Sequence, residues 1–284
     1  MSELLKGAPV AAALAEQSAA DCAALKEKGI VPCLAIVRLG ENESDLSYER
    51  GAMKRCAAAG VEVRNVVLRA DISEQELLVE LEDLNGNDSV HGILLFRPLP
   101  KHISDERIRA AIAPEKDVDG VTDGSLAGVF CGTKKGFAPC TAQAVIETLK
   151  YYKIPMSGKR AVVMGRSLVV GRPAAALLMQ ENATVTVTHT KTVDDAGTAR
   201  SADILVVAIG RARAVNASYL APQQVVIDVG IHADDETGKL CGDVDFAAAD
   251  GLVSAITPVP GGLGAVTTAV LVLHVVDAAK RSLH

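Results

Sequence analysis

The sequence predicts an α/β protein made of two domains with mainly parallel sheets. Its 284 residues suit two domains of ordinary size. Short, β-rich apolar runs alternate with helical stretches, a pattern typical of βαβ units. One of these runs leads into a glycine-bearing loop and then a helix, as in many nucleotide-binding domains.

Composition excludes several other classes of protein. Hydrophobic residues make up 49% and charged residues 23% of the chain, as in a folded protein rather than a disordered one. The net charge is −6 and no basic cluster occurs, so no nucleic-acid partner is predicted. No membrane partner is predicted, and the N-terminal stretch favours an amphipathic helix over a signal peptide. Six cysteines without paired or metal-like spacing predict a cytoplasmic protein with no metal site.

The first half of the chain carries three predicted strands. They are CLAIVRL at 33–39, VEVRNVVL at 61–68 and GILLF at 92–96. A helix is expected from Asp45 to Ala59, and Ser73 with Glu76 has the spacing of a capping box that opens another. The Pro-, Asp- and Gly-rich region 112–140 is expected to link the two domains.

The second half repeats the alternation. Thr141 is expected to cap a helix through Lys150, and Pro173 suits the first turn of a helix that ends at Gln180. A last helix is expected to begin near Thr267. The predicted strands are RAVVMG at 160–165, TVTVT at 184–188, DILVVAIG at 203–210 and QVVIDVG at 224–230.

The loop from Gly165 to Pro173 is a candidate cofactor site, because it follows a strand and opens a helix. It is neither GxGxxG nor a Walker A loop, so its spacing alone leaves dinucleotide binding and an ordinary turn equally open. Arg166 and Ser167 favour the dinucleotide, since a guanidinium and a hydroxyl suit an extra phosphate. The next strand ends in His189 and Thr190 rather than an acidic residue. This favours NADP, with NAD as the alternative.

Several motifs together resemble the methylenetetrahydrofolate dehydrogenase/cyclohydrolase (FolD) family. The motifs are GILLFRPLPKHI, PEKDVDG and PCTAQA in the first half, and GRSLVVGRPAAALL, NATVTVTHTKT, DILVVAIG, VVIDVG, CGDVDF and TPVPGGLGAVTT in the second. The resemblance spans nearly the whole chain. It implies a folate-binding catalytic domain at 1–140, to which a helix at 265–284 returns, a Rossmann-like NADP-binding domain at 141–264 and a cleft between them. It also implies a homodimer.

The resemblance further implies roles for individual residues. Tyr48 and Asp119 are the expected catalytic-site residues, because Tyr48 should stack on the folate and Asp119 should bind the pterin edge. The implied substrate-binding residues are Tyr48, Asp119, Pro98, Leu99, Pro258, Gly261 and Gly262. The implied cofactor-binding residues are Gly165, Arg166, Ser167, Val170, Gly171, His189, Thr190, Ala208, Ile209, Gly210, Asp228, Gly230 and Thr267.

Two positions depart from the family pattern. The folate-site helix of the family reads Y-x-x-x-K, but the fourth residue after Tyr48 is Ala52. The glutamine that hydrogen-bonds this lysine in the family is Phe96 here, followed by Arg97. Lys54 lies two residues beyond Ala52, a rotation of roughly 200° on a helix, so it is predicted to face away from the site.

These departures distinguish two reactions. Hydride transfer from 5,10-methylenetetrahydrofolate to NADP moves no proton, whereas hydrolysis of the methenyl product needs an acid–base group. We therefore expect a dehydrogenase that forms 5,10-methenyltetrahydrofolate, with a lost or weak cyclohydrolase, working beside a separate cyclohydrolase. A bifunctional enzyme that makes 10-formyltetrahydrofolate stays open, with Lys54, Arg97 or a water replacing the lysine. A folate- and NADP-binding protein without turnover is the third alternative.

Overall fold

A computed structural model describes residues 1–234 and 238–283. The chain forms two compact units. The three-stranded unit contains residues 12–140 and the chain from Thr268 onward, and the six-stranded unit contains residues 1–11 and 141–267. Both sheets are parallel, which confirms the predicted α/β class.

The predicted strands are present, several with slightly different ends. The strands of the described residues are β1 (Glu3–Leu4), β2 (Cys33–Leu39), β3 (Glu62–Leu68), β4 (Gly92–Leu95), β5 (Arg160–Met164), β6 (Thr184–Thr188), β7 (Ile204–Val207), β8 (Val225–Asp228), β9 (His232–Ala233), β10 (Leu240–Cys241) and β11 (Ala255–Ile256). The α-helices are α1 (Gly7–Glu27), α2 (Glu43–Ala59), α3 (Glu74–Gly86), α4 (Asp105–Ala111), α5 (Asp123–Cys131), α6 (Cys140–Tyr151), α7 (Gly171–Gln180), α8 (Asp195–Arg200), α9 (Phe246–Ala249) and α10 (Leu263–Arg281).

The sheet of the three-stranded unit has the order β3-β2-β4. The five central residues of β2 are buried, because β2 lies between two strands and both of its faces are covered. Helix α3 presents Leu77, Leu81 and Leu84 to the core of this sheet. The predicted capping box of Ser73 and Glu76 is confirmed at the start of α3.

Residues 112–140 are part of the three-stranded unit, which corrects the prediction of an interdomain link. The buried carboxylate of Asp117 accepts hydrogen bonds from the main-chain N–H groups of Val121 (3.0 Å) and Thr122 (2.8 Å). Thr122 in turn caps α5 by accepting from Ser125, and Gly132 ends α5 in the left-handed region. The polar and glycine residues that suggested a link are therefore capping and turn residues.

The six-stranded sheet has the order β1-β11-β8-β7-β5-β6, and its neighbouring strands are parallel. Strands β5 and β7 are almost wholly buried. β1 pairs with β11, so the first eleven residues belong to this sheet although they precede the other unit in sequence. Two short strands, β9 and β10, pair antiparallel and follow β8 in the chain.

Helix α10 begins at Leu263, one turn before the predicted start near Thr267. By length and composition it could span a membrane, but 72% of its most apolar window is buried inside the protein, as in a core helix. All six cysteines are free thiols.

Candidate active site

Five side chains of the three-stranded unit lie together at the carboxyl end of its sheet. We call Tyr48, Phe96, Asp119, Cys140 and Thr268 the Tyr48 cluster. The rings of Tyr48 and Phe96 meet edge to face with centroids 5.7 Å apart, and the Tyr48 hydroxyl hydrogen-bonds the side chain of Thr268. Tyr48 is 39% exposed, so part of its ring is open to a ligand. The predicted catalytic-site residues Tyr48 and Asp119 are therefore neighbours.

The charges of this cluster are set mainly by burial. Burial, reinforced by the negative charge of Asp117, raises the pKa of Asp119 from 3.8 to about 6. Burial and the nearby Asp119 also raise the pKa of Tyr48, so the phenol stays protonated near neutral pH. Asp119 is thus the member of the cluster whose pKa is closest to neutrality.

Cys140 closes the inner side of the cluster. Its buried thiol donates to the carbonyl of Val118 (3.2 Å) and hydrogen-bonds Asp119. Burial and the charge of Asp119 raise the pKa of this thiol, so it is not a thiolate nucleophile. The Nδ1 atom of His274 donates to the same carbonyl (2.8 Å), and burial lowers the pKa of this imidazole. Both groups therefore support the loop that bears Asp119.

No proton-transfer group stands at the position where the family pattern has lysine. Ala52 lies one helical turn after Tyr48 and is fully buried, while Phe96 is 9% exposed. Lys54 is exposed and lines a different groove with Ala15 and Ala269. The prediction that Lys54 faces away from the side of Ala52 agrees with this placement.

Arg97 is already engaged by a carboxylate. Its guanidinium donates to both oxygens of Asp105, at 2.6 and 2.8 Å, and Arg109 reaches the same carboxylate at 3.0 Å. The positive charge of Arg97 offsets a small part of the rise that burial causes in the pKa of Asp119. A guanidinium has donors and no acceptor, so Arg97 is not suited to act as a base.

In the six-stranded unit, the glycine loop between β5 and α7 has no space for larger side chains at two positions. A Cβ atom on Gly165 would lie 2.1 Å from the carbonyl oxygen of Ala208, and one on Gly171 would lie 2.2 Å from that of Gly165. Gly165 also has a positive φ of 105°. The hydroxyl of Ser167 accepts from the N–H groups of Val170 and Gly171 at the start of α7. The loop is therefore tightly folded against the ends of β5 and β7.

A cavity of about 420 Å³ lies above this loop. Of the predicted cofactor residues, it is lined by Gly165, Arg166, Ser167, His189, Thr190, Ala208 and Ile209. Its further lining residues, which the sequence analysis did not single out, are Met164, Thr188, Asp195, Arg211, Ala214, Val215 and Tyr219.

Two polar atoms in the cavity wall lack a hydrogen-bond partner among the described residues. They are Oγ1 of Thr188 and Oδ1 of Asp195, both buried. Buried polar atoms are nearly always paired in folded proteins, so this wall is suited to a polar ligand. Arg166 and Arg211 are exposed cations on the same cavity and form no ion pair within the described residues. The residues present therefore fit a phosphate-bearing dinucleotide.

Asp243 supports the cavity wall, a role that the sequence pattern does not predict. Its fully buried carboxylate accepts from the main-chain N–H groups of Ile209 (2.7 Å), Gly210 (3.0 Å) and Arg211 (2.8 Å). His232 Nε2 lies 2.7 Å from the same carboxylate. Asp243 thus holds the loop after β7, which forms one side of the cavity. The motif CGDVDF contained it, but nothing local in that motif indicates partners more than 30 residues away.

Six predicted cofactor residues do not line the cavity. They are Val170, Gly171, Gly210, Asp228, Gly230 and Thr267. The buried carboxylate of Asp228 accepts from the N–H groups of Gly230, Asp243 and Val244, so it holds the loop after β8. The Thr267 hydroxyl donates within α10 to Leu263. Direct cofactor contacts by these residues stay predictions.

The predicted substrate residues outside the cluster lie in two loops. Pro98 is exposed after a cis Arg97–Pro98 bond, and Leu99 packs partly buried against the core. In the six-stranded unit, Pro258, Gly261 and Gly262 lie in the loop before α10, where Gly261 has a φ of 105°. A Cβ atom on Gly262 would lie 2.6 Å from the carbonyl oxygen of Pro258. Their roles in binding stay predictions.

Family models of tetrahydrofolate dehydrogenase/cyclohydrolase match both parts of this chain. The family model of the tetrahydrofolate dehydrogenase/cyclohydrolase catalytic domain matches residues 5–119, and that of the NAD(P)-binding domain matches residues 139–283. A bifunctional protein FolD from Carboxydothermus hydrogenoformans is 51% identical over 281 residues, which cover 99% of this chain and 98% of that protein. The predicted two-domain fold and NAD(P)-binding domain are confirmed.

Solved structures of FolD enzymes are similar to this chain over nearly its whole length. The bifunctional enzyme FolD of Campylobacter jejuni is 39% identical, with a TM-score of 0.95 and 99% of each chain covered. The methylenetetrahydrofolate dehydrogenase-cyclohydrolase (FolD) of Trypanosoma brucei, in complex with NADP cofactor and an inhibitor, is 35% identical. Its TM-score is 0.91, and the match covers 100% of this chain and 99% of the other.

Proposed function

Because the chain belongs to the tetrahydrofolate dehydrogenase/cyclohydrolase family, we propose that it oxidises 5,10-methylenetetrahydrofolate to 5,10-methenyltetrahydrofolate with NADP. We further propose that its cyclohydrolase step is weak or absent. The observation that supports this is the fully buried Ala52 one turn after Tyr48, with Phe96 against the tyrosine ring.

The cavity above the glycine loop is the proposed cofactor site. Arg166, Ser167 and Arg211 present a hydroxyl and two guanidinium groups to it, which suits the phosphates of NADP. The solved relative from Trypanosoma brucei holds NADP. When bound, NADP supplies a nicotinamide ring that accepts a hydride.

In the three-stranded unit, Tyr48 and Asp119 bind and orient the substrate in this proposal. The exposed part of the Tyr48 ring stacks on the pterin, and the carboxylate of Asp119 accepts hydrogen bonds from its amino-pyrimidinone edge. Hydride loss leaves a cation delocalised over two nitrogen atoms and releases no proton. Binding and orientation therefore suffice for this step.

Hydrolysis of the methenyl cation has a different requirement. Water must lose protons as it adds, and the adduct must then open at one nitrogen. A positioned acid–base group typically contributes about 10²–10⁴-fold to such a step. The methyl group of Ala52 cannot exchange a proton, Arg97 is held by Asp105, and Tyr48 stays protonated. We therefore expect the methenyl product to accumulate.

A bifunctional enzyme is the second candidate. The names of the similar proteins from Carboxydothermus hydrogenoformans and Campylobacter jejuni favour it. Within the site, Asp119 favours it too, because a carboxyl with a pKa of about 6 can accept a proton near neutral pH. In that case Asp119 would take part in hydrolysis as well as in binding.

A turnover assay distinguishes the two candidates. The purified protein is supplied with 5,10-methylenetetrahydrofolate and either NADP or NAD, and both the reduced cofactor and the folate product are followed. Methenyltetrahydrofolate should accumulate, and 10-formyltetrahydrofolate should appear no faster than without enzyme. Direct formation of 10-formyltetrahydrofolate would refute the loss of cyclohydrolase. Ligand binding without cofactor reduction would instead indicate a protein without turnover.

Restoring the missing pair provides a second test. The double variant Ala52→Lys with Phe96→Gln should raise hydrolysis by about 10²–10⁴-fold and leave hydride transfer within a few-fold. Phe96→Gln alone is the matched control, because it opens the same space without adding an amine. An equal hydrolytic rate in the control and the double variant, both folded, would contradict the role assigned to position 52.

Two further proposals rest on the sequence alone. We infer a cytoplasmic location from the six scattered cysteines, which have no paired spacing. We infer a homodimer from the family resemblance, which light scattering of the purified protein would test.

A further inference from the structure

A cavity of about 630 Å³ lies in the three-stranded unit, away from the Tyr48 cluster. Ile30 and His91 line it, and they lie before β2 and directly before β4. Phe96 of the Tyr48 cluster directly follows β4. The cavity and the cluster are therefore at opposite ends of the same parallel strand, and the proposed function does not use this cavity.

His91 supplies a buried donor to the cavity wall. It is 7% exposed, and its Nδ1 accepts a hydrogen bond from the main-chain N–H of Cys33 (3.2 Å). The proton of the neutral ring is consequently on Nε2. No group among the described residues accepts a hydrogen bond from Nε2, and the sheet occupies the Nδ1 side of the ring. Nε2 is not among the buried side-chain atoms that lack a partner, so it is reached from the cavity, where a ligand or water can accept from it.

Cations from two other segments reach the same cavity. The Arg281 guanidinium donates to the carbonyls of Lys134 (3.0 Å) and Gly136 (2.8 Å) and lies 4.1 Å from the centre of the Phe137 ring. It is thus held in place before any ligand binds. Arg281 and Lys134 both line the cavity, and neither forms an ion pair in the part of the chain that the structure describes, although the negative charge of Asp277 acts on Arg281.

A third cation, Lys116, already has hydrogen-bond partners within the protein. Lys116 donates to the carbonyls of Leu84 (3.0 Å) and Asn87 (2.7 Å) at the end of α3, and Asp88 partly offsets its charge. Burial, reinforced by the positive charge of Lys116, lowers the pKa of His91. Asp88 and Glu115 also line the cavity, so a ligand of high negative charge is disfavoured. A small anion would pair with Lys134 and Arg281 and accept from His91.

We propose that this cavity binds a small phosphate-bearing anion through Lys134, Arg281 and the Nε2–H group of His91. The three donors come from three separate segments: the loop after α5, the end of α10 and the residue before β4. A phosphate has more acceptor oxygens than a carboxylate, so it can accept from three separate donors at once.

The test follows the His91 imidazole by NMR in protein labelled with 15N-histidine, titrated with inorganic phosphate. A saturable shift of the His91 Nε2 resonance in the millimolar range is expected. Lys134→Ala should weaken this binding about tenfold, the worth of one hydrogen bond to a charged group. Lys135→Ala is the matched control, because Lys135 is adjacent, exposed and outside the cavity. His189 reports separately on phosphate in the proposed cofactor cavity.

Three outcomes would overturn the proposal. One is no saturable shift of His91 up to about 50 mM phosphate, well above a millimolar dissociation constant. Another is equal binding in the Lys134 and Lys135 variants. The third is equally tight binding of succinate, which would assign the cavity to carboxylates. No turnover is measured, so failure here is separate from failure of the proposed function.

Discussion

Replacing Asp243 by asparagine should destabilise the loop after β7, which forms one side of the cofactor cavity. The residues that line the cavity stay unchanged, because Asp243 is not one of them. The carboxylate accepts from three main-chain N–H groups and lies against His232. An asparagine side chain has one acceptor oxygen, so at least one of the three N–H groups loses its partner. The unpaired N–H lowers the free energy of unfolding by about 1–3 kcal/mol. Each remaining hydrogen bond also becomes weaker, because its acceptor is no longer charged. The expected decrease in the free energy of unfolding is about 3–5 kcal/mol.

Urea unfolding followed by circular dichroism measures this decrease, and steady-state kinetics measure KM for NADP. KM should rise, because Ile209 and Arg211 line the cavity and their main chain is held by Asp243. Asp245→Asn is the matched control. Asp245 caps α9 through one bond of 3.3 Å to Ala248, and asparagine caps helices as well as aspartate does. A loss below about 1 kcal/mol in Asp243→Asn, with KM unchanged, would refute the reasoning.

Two other predictions concern charge. Arg211→Ala should raise KM for NADP about tenfold and KM for NAD less, because an unpaired guanidinium on the cavity is lost. Arg213→Ala is its control, since Arg213 pairs with Asp234 at 2.7 Å outside the cavity, and equal effects would contradict the assignment. Asp119→Asn should become more stable relative to the wild type as pH rises. The pKa of Asp119 is 3.8 ordinarily and about 6 in the folded state. The wild type therefore loses stability as the pH rises through this range, because ionisation disfavours the folded state. Asparagine does not ionise and does not lose this stability. Urea unfolding should show a relative gain of about 1 kcal/mol between about pH 5 and about pH 7.5, and a difference independent of pH would contradict it.

Local patterns predicted most of the regular structure. β2 has the predicted ends, 33–39, because a run of consecutive apolar residues matches a strand buried on both faces. The capping box at Ser73 could be predicted because both of its hydrogen bonds join residues three apart in the sequence. The glycine loop could be predicted for a similar reason, because its strand, tight turn and helix follow one another directly in the sequence.

The features that the sequence did not reveal depend on partners far along the chain. Asp243 binds N–H groups 32 to 34 residues away, and the polar atoms of Thr188 and Asp195 become significant only once they share one wall. Residues 112–140 appeared to be a linker because capping residues and loop residues have the same composition. The start of α10 was placed one turn late, since Gly261 and Gly262 ahead of it carried a loop pattern.

The pairing of β1 with β11 has a consequence for synthesis on the ribosome. Glu3 lies opposite Ala255, so the edge of the six-stranded sheet stays open until about 250 residues have been translated. The three-stranded unit also waits, because Val275 packs at Gly92 and His274 binds Val118. The six-stranded unit is therefore incomplete until β11 has emerged, and the three-stranded unit until the second half of α10 has emerged. Nascent chains that stall before residue 263 should need protection by chaperones, whereas full-length chains can complete both cores together.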